Sequence, residues 1–327
     1  MSSPLEPKRG PLHRVFPRSA IDPRCGFSPV VRAGLLAEYL LSRRRRRCSR
    51  RRSSSSSPPS SSPPPASFRL LSMSGRNHLL LLRESLYSYC RAAQSLPSLE
   101  ILNDGSLEEG CIERCLGFWP APIKVFSAAE VWAAIAGKPI EANLRALATA
   151  SPLGLKLAFI LVRSAAGPQL FADSDILWFN DPAPTIAAEL SGCPITVGRE
   201  SHNSTNHYFA ASFAPELLEI PGPNTGCVWS DSDLTISALL PEFLLHATED
   251  LQEEFNEQTI LGILSCREGR WLPDHVCLTF FSDAFHWRRR WAWQKGYYSC
   301  HYVRFMRHQF HRDALQLDGG WFRSLPS

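Results

Sequence analysis

The sequence predicts an α/β protein with a mixed, mostly parallel sheet flanked by helices. Between residues 68 and 126, short apolar segments alternate with amphipathic ones, as in repeated strand–helix units. A long apolar segment at 153–161 then leads into a shorter one that ends at Asp173. Hydrophobic residues make up 44% of the 327 residues and nine residues are Trp, which is enough for a sizeable core.

The first half of the sheet is predicted from strands and helices in strict alternation. Apolar residues at positions 79, 82, 86 and 89 to 90 have helical spacing. Loops rich in Gly, Asn and Asp end the first two strands. Helices that join parallel strands cross over in a right-handed sense, so a parallel layout is expected. The predicted strands cover 68–73, 99–102 and 123–126, and the predicted helices cover 78–93, 107–116 and 127–150.

The second half shows the same mixture of elements with less regular spacing. A buried helix at 153–161 precedes the strand that ends at Asp173, and a last strand contains His301. Further strands are predicted at 194–198 and 224–229, and further helices at 184–190, at 234–245 and from 253 onwards.

The N-terminal residues 1–66 have a different composition from the rest of the chain. They hold fourteen Lys and Arg against three acidic residues, a net charge of about +11, so the other 261 residues carry about −7. A run of Arg, Ser and Pro with little apolar content predicts a disordered tail. The tail is compatible with targeting, with nucleic-acid binding or with an extension from an upstream start codon. The folded part is mildly acidic, and we expect no nucleic-acid partner for it.

Cysteine usage and hydropathy indicate the compartment. The ten Cys include no Cys-x-x-Cys pair, and Cys111 and Cys115 have no second pair at zinc-site spacing. The sequence shows no secretory signal and no apolar run of 18 residues. We therefore expect reduced thiols, a cytoplasmic location and no transmembrane segment.

Two aspartates at i and i+2, Asp173 and Asp175, are the most informative residues of the chain. On an extended strand both side chains point to the same face. Two adjacent carboxylates repel each other unless a cation lies between them. Hard oxygen ligands suit Mg²⁺ or Mn²⁺, which bind through one or two carboxylates together with substrate phosphates. The alternative is a strand-end turn with two solvated aspartates.

The segment 170–182 reads Leu-Phe-Ala-Asp-Ser-Asp-Ile-Leu-Trp-Phe-Asn-Asp-Pro. It resembles the Asp-x-Asp signature of nucleotide-diphospho-sugar transferases, glycosyltransferases with the GT-A fold. The resemblance implies a GT-A-like, Rossmann-type domain over 67–320, with a C-terminal tail at 321–327. It implies transfer of a hexosyl or similar group from a nucleoside diphosphate sugar to a hydroxyl of a glycan, lipid or protein. Asp175 would bind Mn²⁺ or Mg²⁺ directly, and Asp173 would contact the ribose or the metal through water.

The resemblance also suggests donor-site residues outside this segment. Arg76 and Asp104 would approach the nucleotide base or ribose, and Lys156 would reach the active site. Asn224 and Gly226 match an Asn-x-Gly strand that follows the metal site in related transferases and usually shapes the acceptor side. The simpler alternatives are an Asp-Gly turn at Asp104, a lysine at the helix edge that extends to solvent, and an ordinary strand start at Asn224.

Three further residues are candidates near the donor sugar and the metal. Glu257 and Gln258 match an acidic-Gln pair that opens a helix facing the donor sugar. Glu257 would hydrogen-bond sugar hydroxyls or act as the base of an inverting enzyme. Favourable interaction of an acidic residue with the helix dipole is the alternative. His301 matches a late histidine that completes the metal site, and its alternative is an ordinary core histidine.

Three rival functions are considered. The first is a non-catalytic sugar- or nucleotide-binding relative, since one fold supports many functions. The second is a metal-dependent phosphohydrolase, which is disfavoured because the haloacid-dehalogenase pattern needs Asp-x-Asp-Gly and Thr, whereas Ile176 follows Asp175 here. The third is a nucleic-acid-binding protein, which depends only on the arginine-rich tail.

Overall fold

The computed structural model describes residues 65–200, 222–249, 251, 256–280, 296–303 and 307–318. Nearly all of the predicted tail at 1–66, and the predicted C-terminal tail at 321–327, lie outside these residues. The larger of two compact units ends at His301, and the described residues from Tyr302 onwards belong to the second. The predicted domain limits at 67 and 320 stay a prediction.

Ten strands form two sheets in the described part of the chain. Seven belong to one sheet in the order β3-β2-β1-β4-β7-β6-β8, and three form a second sheet in the order β5-β10-β9. The strands are β1 (Pro65–Ser74), β2 (Leu96–Asn103), β3 (Ile123–Phe126), β4 (Gln169–Ala172), β5 (Ile176–Trp178), β6 (Ile195–Arg199), β7 (Pro223–Ser230), β8 (Arg270–Trp271), β9 (Leu278–Phe280) and β10 (Ser299–Tyr302).

The large sheet is mixed and mostly parallel, as predicted. Strand β1 runs parallel to β2 and β4, β2 runs parallel to β3, and β6 runs parallel to β8. Only β7 runs antiparallel to its neighbours, β4 and β6. The carboxyl ends of β1, β2 and β4 therefore share one edge of the sheet, which is where ligands bind in open α/β sheets.

Helices flank both faces of this sheet. In the larger unit the helices are α1 (Leu79–Ala92), α2 (Cys111–Cys115), α3 (Ala128–Ile135), α4 (Glu141–Ala150), α5 (Pro152–Ser164), α6 (Ala183–Thr185), α7 (Leu240–Glu249) and α8 (Asn256–Glu268). Helix α9 (Arg307–Asp318) belongs to the other unit. A π-helical turn covers Ile186–Leu190 and a 3₁₀ turn covers Leu234–Ile236. Among the residues described, no helix combines the length and the apolar character needed to cross a membrane.

The segment predicted to be helical over 127–150 forms two helices, because the chain breaks between α3 and α4. Gly137 adopts φ +77°, a left-handed conformation that ends helices, and Pro139 follows two residues later. The segment predicted to be helical over 234–245 forms a 3₁₀ turn and the separate helix α7. The first strand begins at Pro65 rather than at residue 68.

Hydrophobic residues of the large sheet alternate between two cores. Leu71 and Phe171 belong to the core on the face of α3, α4, α5, α7 and α8. Leu70 and Leu170 belong to the core on the opposite face, with α1. Successive strand residues point to opposite faces, so a sheet buried on both sides needs continuous apolar strands. Parallel strands of this kind expose polar side chains mainly at their ends.

The short segment of the second unit has its own contacts. The Tyr302 hydroxyl donates a hydrogen bond to Asp313 Oδ2 at 2.9 Å. The Tyr302 ring also meets the Phe310 ring edge to face, with centroids 5.7 Å apart. These contacts join the end of β10 to helix α9 within that unit.

Ser127→Ala is expected to lower the free energy of unfolding by about 1 kcal/mol, the usual cost of losing an N-cap. The Ser127 Oγ accepts a hydrogen bond from the Glu130 backbone N–H at 3.3 Å, and Glu130 Oε2 accepts one from the Ser127 N–H at 2.8 Å. The hydrogen bonds that Glu130 Oε2 accepts from the Ser127 backbone N–H and from the Ser127 hydroxyl lower the pKa of Glu130. Urea denaturation measures the change. Ser127→Asp, which keeps the cap, is the control, and an equal loss in both variants would contradict the capping role.

Candidate active site

Asp173 and Asp175 lie in the connection between the two sheets. We predicted that both aspartates lie on an extended strand, but β4 ends at Ala172 and a turn precedes Ile176 in β5. Between Ala172 and Ile176 the chain leaves the large sheet and enters the small one. The Asp173 N–H donates a hydrogen bond to the Gly226 carbonyl at 2.8 Å, which anchors the turn to β7. The two carboxylates therefore converge through a turn rather than through the alternation of a strand.

His301 faces this turn from strand β10. Strand β10 runs antiparallel to β5 and pairs His301 with Ile176, the residue after Asp175. The His301 Nε2 atom lies 3.1 Å from Asp175 Oδ1 and 3.7 Å from Asp173 Oδ2. One ligand atom from each of the three residues lies within 4.8 Å of the others. The predicted histidine thus joins the two aspartates in space.

These three residues fit a Mn²⁺ or Mg²⁺ ion by donor type, spacing and charge. Two carboxylates and one imidazole suit these ions. Adjacent ligands of an octahedral ion with 2.1 Å bonds lie about 3.0 Å apart, close to the separation of His301 Nε2 and Asp175 Oδ1. With a neutral imidazole, the carboxylates of Asp173, Asp175 and Glu257 face only one lysine among the described residues. One divalent cation would balance the two excess negative charges.

Lys156 is buried among acidic and polar groups at the centre of the site. Its Nζ atom lies 3.1 Å from Asp173 Oδ1 and 3.1 Å from Glu257 Oε1. It also donates to Thr225 Oγ1 at 3.2 Å, and the Thr225 hydroxyl donates to Glu257 Oε1. Lys156 is only 3% exposed, so it is a buried, partnered cation rather than a lysine that extends to solvent.

The pKa values of the buried site residues result from competition between burial and charge. Burial disfavours the charged forms of Lys156 and His301, yet the neighbouring carboxylates outweigh it and raise the pKa of both. For Lys156 these carboxylates are Asp173 and Glu257. Burial raises the pKa of Glu257, although Lys156 opposes the shift. Lys156 is therefore a fixed positive charge inside the site.

Asn224 and Gly226 contact His301. Asn224 Oδ1 accepts a hydrogen bond from the Gly226 N–H at 3.0 Å and lies 2.8 Å from His301 Nδ1. Asn224 Nδ2 donates to Glu200 Oε1 at 2.8 Å. A Cβ atom on Gly226 would overlap the His301 imidazole. Because Gly226 has no side chain, the His301 ring can lie directly against its backbone.

Arg76 and Asp104 lie at the predicted edge of the large sheet. They follow the ends of β1 and β2, where Ser74 pairs with Asn103. The Arg76 N–H donates to Ser106 Oγ at 2.8 Å, and Asp104 Oδ1 accepts from the Ser106 N–H at 2.8 Å. Both residues are exposed. Since β1 neighbours β4, the two loops lie one and two strands from Asp173.

Sequence reasoning placed Glu257 and Gln258 on the correct helix but missed Thr225 and Glu200. Glu257 is buried in the first turn of α8 beside Lys156, whereas the neighbouring Gln258 is half-buried. Thr225 lies between the two residues that were selected in the Asn-x-Gly segment. Glu200 directly follows β6 and is buried, and the signal available in the sequence was an acidic residue soon after an apolar strand.

Solved structures resemble this chain, although no protein-family model and no curated protein sequence matches it. The galactosyltransferase LgtC, solved with donor and acceptor sugar analogues, aligns with a TM-score of 0.53 and 11% identity over 80% of this chain and 98% of LgtC. The bifunctional glycosyltransferase WbbM aligns with a TM-score of 0.51 and 11% identity over 76% of this chain but only 50% of WbbM. Mouse xyloside xylosyltransferase 1 gives 15% identity and a TM-score of 0.46 over 72% of this chain and 97% of its own. The alignments with LgtC and WbbM, at TM-scores of 0.53 and 0.51, show that the chain has the GT-A fold.

Proposed function

We propose that this protein is a metal-dependent glycosyltransferase that moves a sugar from a nucleoside diphosphate sugar to a hydroxyl acceptor. The supporting observation is the cluster of Asp173, Asp175 and His301 beside the carboxyl edge of a GT-A sheet. Asp173, Asp175 and His301 would hold the cation, Mn²⁺ or Mg²⁺. The bound cation would neutralise charge on the leaving nucleoside diphosphate.

Lys156 and Glu257 are proposed to act together beside the donor. The Lys156 ammonium, fixed by Glu257 and Thr225, orients the Asp173 carboxylate and provides a preorganised positive charge. Glu257 Oε2 has no hydrogen-bond partner among the described residues, and this oxygen would accept a hydrogen bond from a donor-sugar hydroxyl. Gln258 beside it would offer an amide to the same sugar.

The other proposed contacts lie around this centre. Arg76 and Asp104, exposed at the sheet edge, would contact the nucleotide base or ribose. Asn224 and Gly226 would shape the cation side of the site. The acceptor is proposed to be a hydroxyl of a glycan, a lipid or a protein, and a cytoplasmic location stays a prediction.

A thermal-shift panel of nucleoside diphosphates and their sugars, each with and without Mn²⁺, tests the proposed donor site. A ligand at one hundred times its Kd stabilises a folded protein by about 2.7 kcal/mol. We expect one nucleotide to stabilise the wild type in a Mn²⁺-dependent manner and to give no such shift in Asp175→Asn. Asp274→Asn, which alters an exposed carboxylate paired with Arg199, is the matched control and should behave as wild type.

Two results would contradict parts of this proposal. Absence of a shift with every nucleotide, while the protein is folded, would exclude the donor site and leave the two aspartates as a structural turn. Binding of a nucleotide sugar without release of the nucleoside diphosphate, across a panel of hydroxyl acceptors, would favour the non-catalytic alternative.

A further inference from the structure

Three buried polar side chains form a continuous chain that ends at the candidate metal centre. Glu200 Oε1 accepts from Asn224 Nδ2 at 2.8 Å, and Asn224 Oδ1 lies 2.8 Å from His301 Nδ1. Glu200 is 5% exposed, Asn224 3% and His301 4%. Buried polar groups of this kind fix one another because an unmade hydrogen bond in the interior is costly.

The backbone determines which way the Asn224 amide faces. A backbone N–H is always a donor, so the Asn224 atom that meets the Gly226 N–H at 3.0 Å must be the carbonyl oxygen. The same oxygen faces His301 Nδ1, and two acceptors would repel each other. Nδ1 therefore carries a hydrogen. At the other end the Asn224 NH₂ group meets the Glu200 carboxylate, which requires the same orientation.

This arrangement determines the chemistry of the opposite ring nitrogen of His301. A neutral imidazole with its hydrogen on Nδ1 has its lone pair on Nε2. Nε2 is the atom that lies 3.1 Å from Asp175 Oδ1. We propose that Glu200 and Asn224 are positioning residues that hold His301 in its metal-binding tautomer and orientation. The proposal concerns the metal centre of the proposed function and rests on it.

The hydrogen bonds of Asn224 separate this role from direct contact with a substrate. Its carbonyl oxygen serves two N–H groups, and its NH₂ group serves a carboxylate. The carbonyl oxygen is thereby fully used, and only one N–H of the amide remains for another partner. Asn224 would therefore act through His301, as groups behind metal-bound histidines do in other metal sites.

Titration of the full-length protein with Mn²⁺ alone, followed by electron paramagnetic resonance of the free ion, tests this role. Loss of a partner behind a metal-binding histidine typically weakens metal binding by about 10–100-fold. We expect a loss of this size in Glu200→Ala and in Asn224→Leu. The single change Asn224→Asp places two carboxylates at hydrogen-bond distance and should also weaken binding.

The double variant Glu200→Gln with Asn224→Asp is the matched rescue. Its Gln amide can donate to the new Asp, which still accepts from Gly226 N–H and from His301 Nδ1–H. We expect it to recover most of the affinity lost in Asn224→Asp. Equal Mn²⁺ affinity in the wild type and in Glu200→Ala and Asn224→Leu would overturn the proposal.

Nitrogen-15 NMR of the histidine side chains measures the tautomer without any metal. In the metal-free wild type we expect Nδ1 of His301 to carry a hydrogen, because Asn224 Oδ1 can only accept, whether or not Nε2 also carries one toward Asp175. Glu200→Ala should lower the fraction of His301 with a hydrogen on Nδ1. A wild type whose Nδ1 carries no hydrogen would overturn the proposal.

The two measurements distinguish failure of the proposal from failure of the proposed function. A wild type that binds no Mn²⁺, yet has the Nδ1–H tautomer that Glu200→Ala changes, would contradict the metal centre and support the positioning role. A wild type that binds Mn²⁺, with a tautomer and an affinity that Glu200→Ala does not change, would contradict the positioning role alone.

Discussion

Lys156→Met is expected to lower the free energy of unfolding by about 3–5 kcal/mol at neutral pH, the range for breaking a buried ion pair. The substitution keeps most of the side-chain volume but removes the ammonium, which lies 4.9 Å from the centroid of the Phe171 ring. The same ammonium lies 3.1 Å from both Asp173 and Glu257. Urea denaturation followed by circular dichroism measures the change.

The two carboxylates left behind should not contribute equally to this loss. The Asp173 side chain is 29% exposed and water can solvate it, whereas the Glu257 side chain is 1% exposed. Burial of an unpaired carboxylate is costly, so Glu257 should account for most of the effect. Adding Glu257→Gln to Lys156→Met should therefore recover most of the lost stability.

Lys138→Met is the control for loss of a lysine. Lys138 Nζ donates to the Thr235 hydroxyl at 3.2 Å and forms no part of the site. We expect a change within about 0.5 kcal/mol, as for most surface substitutions. A similar small change for Lys156→Met would show that the buried cation does not hold the acidic cluster together.

Gly226→Ala is expected to destabilise the protein by about 1–3 kcal/mol, the usual cost of overpacking, and to disrupt the metal centre. A Cβ atom at this position would overlap the His301 ring, so the ring or strand β7 must move. Displacement of the imidazole by a fraction of an ångström alters its distance to Asp175. We expect Mn²⁺ affinity to fall by at least 10-fold, in line with other changes behind metal ligands.

Denaturation and Mn²⁺ titration of Gly226→Ala measure the two effects separately. Gly117→Ala is the matched control, because the atoms nearest to its added Cβ lie at an ordinary 3.9 Å. We expect it to retain stability and metal binding. Wild-type Mn²⁺ affinity in Gly226→Ala would show that the ring has room to adjust, and that the glycine is not needed for the position of His301.

Local signals in the sequence accounted for the class of fold. Apolar runs of strand length, helical spacing in 78–93 and turn residues after each strand predicted the alternation seen from β1 to β3. These signals are readable because one strand or helix carries its own periodicity. The boundary errors arose where local periodicity continues through a break, as at Gly137 between α3 and α4.

The candidate site was predictable where its chemistry lies in adjacent residues. Asp173 and Asp175 were predicted from their spacing after an apolar run. His301 was predicted from its resemblance to the late histidine of GT-A enzymes. Even so, the interpretation of the aspartates as a straight strand was wrong. The short sequence pattern is the same for a continuous strand and for a turn between two sheets. The pairing partners distinguish the two cases, because β4 pairs with β1 whereas β5 pairs with β10.

Local patterns were enough to predict the class of fold and the segment that carries the candidate metal ligands, because both follow from residues close together in the chain. The tertiary structure was needed to find which distant groups complete the site. Lys156 meets Glu257, and Glu200 meets Asn224, through side-chain contacts between residues that are far apart in the sequence. Lys156, Glu257 and Asn224 were candidates in the sequence, but no pattern in their own segments identifies their partners. Each residue has its role because it is buried beside an opposite charge or a hydrogen-bond partner. The arrangement of the strands and helices brings that partner close.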